Sequence, residues 1–233
     1  MDKLLKIQII ACGPGLKEIS QVHGLSSDWV YSMIKDRVPK IEIVKTYLDE
    51  SPSFDDGCAW IIMGSRYSAY DSMPWIESLK NDISKAIENN IPILGICFGH
   101  QILCSALGAT VSNNSKGWEL GSSKVSLTDK GISSPLFEGF EENFYVYQSQ
   151  HDVVSGLPDS VELLCSNQFG VQSVSYQNSV FGVQFHPEFS YDVMMAYFDA
   201  RTKKMDSSNF QVINQNDGSK VIDNFINILL KEK

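Results

Sequence analysis

Residues 91–107 read I-P-I-L-G-I-C-F-G-H-Q-I-L-C-S-A-L, a short apolar run that passes into a helix-period segment with no loop between them. A join of this kind is a strand turning sharply into a helix, and it confines the chain to folds in which strands and helices alternate. The rest of the first half agrees. Residues 7–12, 41–47 and 59–63 are further strand-like runs. Residues 27–37, 74–89 and 100–107 carry apolar side chains at helical spacing, with Pro74 suited to a first helical position and Gly108 to a C-cap. This succession predicts an α/β fold with a mostly parallel central sheet flanked by helices on both faces.

Beyond residue 120 the pattern changes. Residues 124–127, 144–147, 161–164, 171–176 and 180–185 are strand-like and separated by turn signals such as Asp129-Lys130-Gly131 and Gly156-Leu157-Pro158. They are expected to add antiparallel strands to the sheet. Residues 191–203 and 220–230 read as helices, and the polar stretch 206–218 between them as a mobile loop. With no internal repeat and no shift in composition, residues 1–233 are expected to form a single domain.

Composition removes several classes. With 43% hydrophobic and 20% charged residues, the chain is globular rather than disordered. A net charge of −9 without a basic stripe argues against nucleic-acid or anionic-membrane partners. No apolar stretch approaches the ~20 residues of a membrane span, and residues 7–11 are too short a run for a signal peptide, so a cytoplasmic location is expected. The five cysteines lack C-x-x-C spacing and form neither a disulfide framework nor a zinc site.

Cys97 stands apart because Gly95 and Gly99 flank it at −2 and +2. A nucleophile on a strand-to-helix elbow sits in a strained backbone where side chains at those positions would clash. The helix that follows turns its free N–H groups and positive end towards the thiol, favouring thiolate. The amide of Phe98 is then placed to donate to an oxyanion, a contribution of about 3–4 kcal/mol where such a donor has been removed. A structural cysteine in a glycine-rich turn fits the same residues, and serine hydrolases share the elbow. Far downstream, His186-Pro187-Glu188 ends a strand-like run. Residues i and i+2 of an extended segment project to one side, so imidazole and carboxylate can face one pocket, the first taking the thiol proton and the second orienting it. Alone, H-P-E is an ordinary surface turn; the pairing with the cysteine elbow is what gives it meaning.

The G-x-C-x-G-H-Q elbow with a later H-P-E resembles the class I, triad-type glutamine amidotransferases, specifically the stand-alone subgroup similar to the amidotransferase domain of GMP synthetase. The likeness runs over nearly the whole chain. It implies a flavodoxin-like fold, with Cys97 as nucleophile, His186 as general base and acid, and Glu188 as orienting carboxylate. It further implies Gly64 or Ser65 as second oxyanion donor beside Phe98, and Gln101 at the amino-acid end of the substrate. The reaction implied is hydrolysis of glutamine or a γ-glutamyl compound through a glutamyl thioester, with no cofactor and no metal. Ammonia would pass to a separate synthetase or acceptor subunit, or the chain would act alone as a γ-glutamyl peptidase; a non-catalytic binding protein on the same scaffold is the third reading. No phosphate-binding G-x-x-x-x-G-K-[ST] loop is present, and Gly13-Pro14-Gly15 is expected to turn beside the active site.

The chain departs from the family pattern at three places. Gly64-Ser65-Arg66 replaces the usual Gly-Gly-Pro and adds a charge. Ser149-Gln150-His151-Asp152 replaces Ser-His-Gly-Asp, leaving Ser149 and Gln150 as substrate contacts and His151 as a polar loop residue. Trp118, within Gly117–Gly121, is expected to act as a hydrophobic lid, while Glu119 is left open as a reader of the substrate ammonium.

Overall fold

A computed structural model describes residues 5–203, 205 and 207–231 of the chain. The first half runs β1 (Lys6–Ala11), α1 (Lys17–His23), α2 (Ser26–Ile34), β2 (Lys40–Lys45), β3 (Cys58–Ile62), α3 (Pro74–Glu88), β4 (Ile93–Ile96) and α4 (Phe98–Ala106). The second half opens with β5 (Thr110–Asn113), β6 (Glu119–Leu127), α5 (Asp129–Ser133), β7 (Asn143–Gln150) and β8 (Asp152–Ser155). It closes with β9 (Val161–Asn167), β10 (Gly170–Tyr176), β11 (Val180–Val183), α6 (Tyr191–Thr202) and α7 (Lys220–Lys231).

Among the described residues, nine strands make one sheet in the order β2-β1-β3-β4-β11-β10-β9-β6-β7. β2, β1, β3, β4 and β11 run parallel. β10, β9, β6 and β7 extend the sheet antiparallel. The parallel block is doubly wound, with β1 between β2 and β3, and in such sheets ligands bind beyond the carboxyl ends of the strands.

Alternation along each strand builds two cores, because successive side chains leave opposite faces. Ile7, Ile9, Ala59, Ile61, Leu94 and Ile96 meet Val30 and Ile34 of α2 and Val221, Ile222 and Phe225 of α7. Ile10, Trp60, Ile62 and Ile93 meet Ile76, Leu79 and Ile83 of α3 and Ile102 and Leu103 of α4. Side chains of this size contribute about 1.5–3 kcal/mol each when fully buried. They are what holds the strand ends, and so the loops after them, in place.

The crossing that matters most for function is β11. After β6 to β10 the chain returns to the middle of the sheet and pairs in parallel with β4, setting Gly182 opposite Gly95 and Val183 opposite Ile96. The loops after β4 and β11 therefore open at the same edge. No helix among the described residues is long and apolar enough to cross a membrane.

Several boundaries differ from the sequence reading. α2 stops at Ile34, and α4 begins at Phe98, directly after the cysteine. β6 starts at Glu119 and β7 extends to Gln150. Their Gly, Ser and Gln residues have weak strand propensity, and it is cross-strand pairing that recruits them. α1, β5 and β8 have no counterpart in the sequence reading, and Asp129-Lys130-Gly131 opens a short helix whose first turn is capped by Thr128 Oγ1 accepting from the Gly131 amide at 3.1 Å. The stretch expected to be a mobile loop, of which Asp206 lies outside the described residues, is tied down from residue 210 onwards. Ser122 donates its amide to Gln211 O at 2.8 Å, and Tyr147 donates its hydroxyl to Ile213 O at 2.9 Å.

Candidate active site

Cys97 occupies the bend between β4 and α4 with φ 53° and ψ −106°, a left-handed conformation costly for a residue bearing a side chain. The flanking glycines make the bend possible. A Cβ on Gly95 would lie 2.5 Å from the carbonyl oxygen of Gly99, and one on Gly99 would overlap the Ile62 carbonyl of β3. The Cys97 amide donates to Val183 O at 2.9 Å, stitching the elbow to β11. Phe98 opens α4, so its amide has no intrahelical acceptor.

His186 and Glu188 follow β11. His186 Nδ1 lies 2.9 Å from Glu188 Oε1, and both residues are buried. The imidazole is held flat against Phe189, ring centres 4.0 Å apart and planes 16° from parallel, and Phe189 in turn stacks on Tyr197 at 4.7 Å. The His186 amide donates to Tyr147 O at 2.9 Å, and Asn216 Nδ2 donates to the carbonyls of both His186 and Phe189. Nε2 has no aligned hydrogen-bond partner among the described residues. Burial works to lower the imidazole pKa, but the Glu188 carboxylate and then the Cys97 sulfur outweigh it and raise the value to about 10. The ring is thus biased towards imidazolium by the sulfur on one side and the acid on the other.

Gly64, in the loop after β3, completes the contact: a Cβ there would meet His186 Cε1 at 3.4 Å and Cys97 Cβ at 3.6 Å. The loops after β3, β4 and β11 thus converge on one point, and Gly15, in the segment after β1, shares the cleft they line. The space between these residues, counted out to open solvent, is about 480 Å³. Ser65 lines it while its Oγ donates to Cys12 O at 2.7 Å, which pins the loop. Ser149 also lines it, with a buried hydroxyl lacking a partner among the described residues.

Other residues singled out in the sequence lie elsewhere. Gln101 is buried and donates from Nε2 to Gln184 Oε1 at 3.0 Å. Gln150 Nε2 donates to Glu119 Oε2 at 2.8 Å. Neither glutamine side chain lines the cleft, because each carboxamide is drawn to a buried partner. Glu119 is itself sunk among Gln150, Asn167 and Gln172. Its burial raises the carboxyl pKa, against those hydrogen bonds, and it stays away from the cleft. Trp118 is not among the residues that line the cleft; it lies edge-on to His151 and carries the Arg201 guanidinium over its ring. His151 pairs with Asn113 and Asp152. His100, although inside the elbow motif, is fully buried beside Cys104, and burial lowers its pKa to about 3. It packs so closely on Gly182 that a Cβ there would fall 2.5 Å from its Nδ1.

Tyr197, Arg201 and Phe189 line the cleft without having been foreseen. The one available signal was that Tyr197 and Arg201 stand four apart on a helix and so share a face.

Residues 40–203 match the family model for class I glutamine amidotransferases. The chain belongs to that family. It is 30% identical over 204 residues to a glutamine amidotransferase-like protein of Schizosaccharomyces pombe, covering 81% of each chain. It is 30% identical over 143 residues to γ-glutamyl peptidase 4 of Arabidopsis thaliana, covering 60% of this chain and 57% of that one. One subunit of a glutamine-hydrolysing GMP synthase from Methanococcus maripaludis is 34% identical over 131 residues, 54% of this chain and 67% of that one. A glutamine amidotransferase crystal structure from Thermotoga maritima superposes with a TM-score of 0.76 at 21% identity, over 99% of this chain and 98% of that one, which places the fold in the same group.

Proposed function

We propose that this chain hydrolyses the γ-amide of glutamine or of a γ-glutamyl compound, with Cys97 as nucleophile, His186 as base and acid, and Glu188 as the orienting carboxylate. The observation carrying this reading is the meeting of the Cys97 elbow, Gly64 and the His186–Glu188 pair at one end of one cleft. Sγ attacks the γ-carbonyl carbon, and the oxyanion is received by the amides of Phe98 and of Gly64 or Ser65. As the C–N bond breaks, His186 gives its proton to the departing nitrogen, releasing ammonia or an amine and leaving a glutamyl thioester. A water deprotonated by His186 then frees glutamate and restores the thiol. Ser149, with an unengaged hydroxyl on the cleft, is assigned to the substrate; Gln101 and Gln150 act from behind, by holding Gln184 and Glu119.

A diazoketone analogue of glutamine tests the reading. Wild-type protein should lose turnover and gain one covalent adduct, mapped to Cys97 by mass spectrometry. Folded Cys97→Ala should show neither adduct nor turnover, and wild-type rates in that variant would refute the assignment.

Similarity to part of a glutamine-hydrolysing GMP synthase favours a second reading, in which ammonia passes to a separate acceptor protein. Glutaminase activity of the isolated chain that rises severalfold with a partner fraction would support delivery. Full activity alone would support independent hydrolysis.

A further inference from the structure

The chain contains three arginines among its 233 residues, at positions 37, 66 and 201. Arg37 pairs with Asp223 at 3.0 Å and does not line the cleft. Arg66 and Arg201 both line the cleft, and neither forms an ion pair among the described residues. A protein of net charge −9 has thus placed two of its three guanidinium groups around one small cavity, without acidic partners among the described residues. Arg201 is also fixed in position: its guanidinium carbon rests 4.8 Å from the ring centre of Trp118, and Nε is buried without a hydrogen-bond acceptor among the described residues. A planar cation braced on an aromatic ring, with a buried donor unused, suits a carboxylate.

The side of the cleft decides which carboxylate. In the hydrolysis proposed above the departing nitrogen takes its proton from His186, so the leaving group must lie on the imidazole side of Cys97. Phe189 stacks on that imidazole, Tyr197 stacks on Phe189, and Arg201 follows Tyr197 by four residues on α6. Arg201 therefore stands on the leaving-group side, while Arg66 belongs to the loop that carries Gly64. Ammonia, the leaving group of glutamine, has nothing for a guanidinium to bind. An amino acid released from a γ-glutamyl peptide has a carboxylate.

We propose that Arg201 binds the carboxylate of the leaving amino acid, making γ-glutamyl peptides with a free carboxylate next to the scissile amide the preferred substrate class. This rests on the reading of Cys97 as nucleophile, and the test separates the two. Hydrolysis of γ-glutamylglycine is compared with that of γ-glutamylmethylamide, which keeps the scissile bond and lacks only the leaving-group carboxylate, in wild type, Arg201→Gln and Arg201→Lys. The wild-type kcat/KM should favour the glycine compound by about tenfold or more, the range expected for a charge-assisted hydrogen bond. In Arg201→Gln that ratio should fall towards one, through KM for γ-glutamylglycine, and Arg201→Lys should restore part of it. The ratio within one preparation cancels any loss of folded protein. A wild-type ratio near one, or a ratio unchanged in Arg201→Gln, overturns the assignment while leaving the nucleophile intact. No turnover of either compound or of glutamine by wild type would remove both.

Discussion

Asn216 reaches across from the segment before α7 to hold the backbone of His186, its Nδ2 lying 3.0 Å from the His186 carbonyl and 3.1 Å from that of Phe189. One carboxamide thus fixes both the imidazole-bearing residue and the ring packed against that imidazole. Asn216→Ala should leave two carbonyls without their donor, destabilising the protein by about 1–3 kcal/mol. Turnover should fall more than this loss of folded protein explains, because the His186 ring gains freedom to leave its stacked position. Denaturant melts beside kcat at a temperature where the variant is folded would check this; unchanged kcat would show that stacking on Phe189 suffices alone.

Glu188 is the foremost of the influences that raise the His186 pKa, working against burial. Because the folded value, about 10, lies above the ordinary 6.5, the stabilisation from the charged ring is complete below pH 6.5 and is lost as pH rises through about 10. Glu188→Gln should bring the imidazole pKa down, flatten this alkaline loss and lower kcat by about 10³–10⁴-fold, by analogy with triads deprived of their acid. NMR titration of the His186 ring and stability at intervals from pH 6.5 to 10 give the comparison. An alkaline slope identical in the variant would exclude the pair as its source.

His100 behaves in the opposite sense. It is buried and neutral, with a folded pKa of about 3 against 6.5 when exposed, so the unfolded chain binds the extra proton as pH falls. The stability it leaves intact above pH 6.5 should decline by about 1.4 kcal/mol per pH unit below it, until the folded ring itself protonates near pH 3. His100→Asn should therefore have a shallower acid limb than wild type, measured by denaturant melts at pH 7, 6, 5 and 4. Parallel acid limbs would mean that His100 is protonated in the native protein.

The local features of this protein were legible residue by residue. Apolar period and helix signals marked β1 to β4 and α2 to α4, and the glycine pair around Cys97 announced the bend, because bond rotation and steric clash act over a few neighbouring residues. His186 and Glu188 do meet, but not through the extended i, i+2 geometry expected: β11 ends at Val183, and a turn closed by the Phe189 amide on His186 O brings imidazole and carboxylate together. Only the tertiary structure decided what those segments meet. β11 lies beside β4 because the chain first lays down β6 to β10 and then returns, a long-range pairing that no periodicity encodes. The same holds for side chains with a choice of partner: Gln101 and Gln150 turned towards Gln184 and Glu119, since a buried amide is driven to the nearest acceptor, and a sequence does not reveal where that acceptor stands. Arg201 and Asn216 carried no motif, and their positions follow from how α6 and the segment before α7 close over the carboxyl ends of the strands.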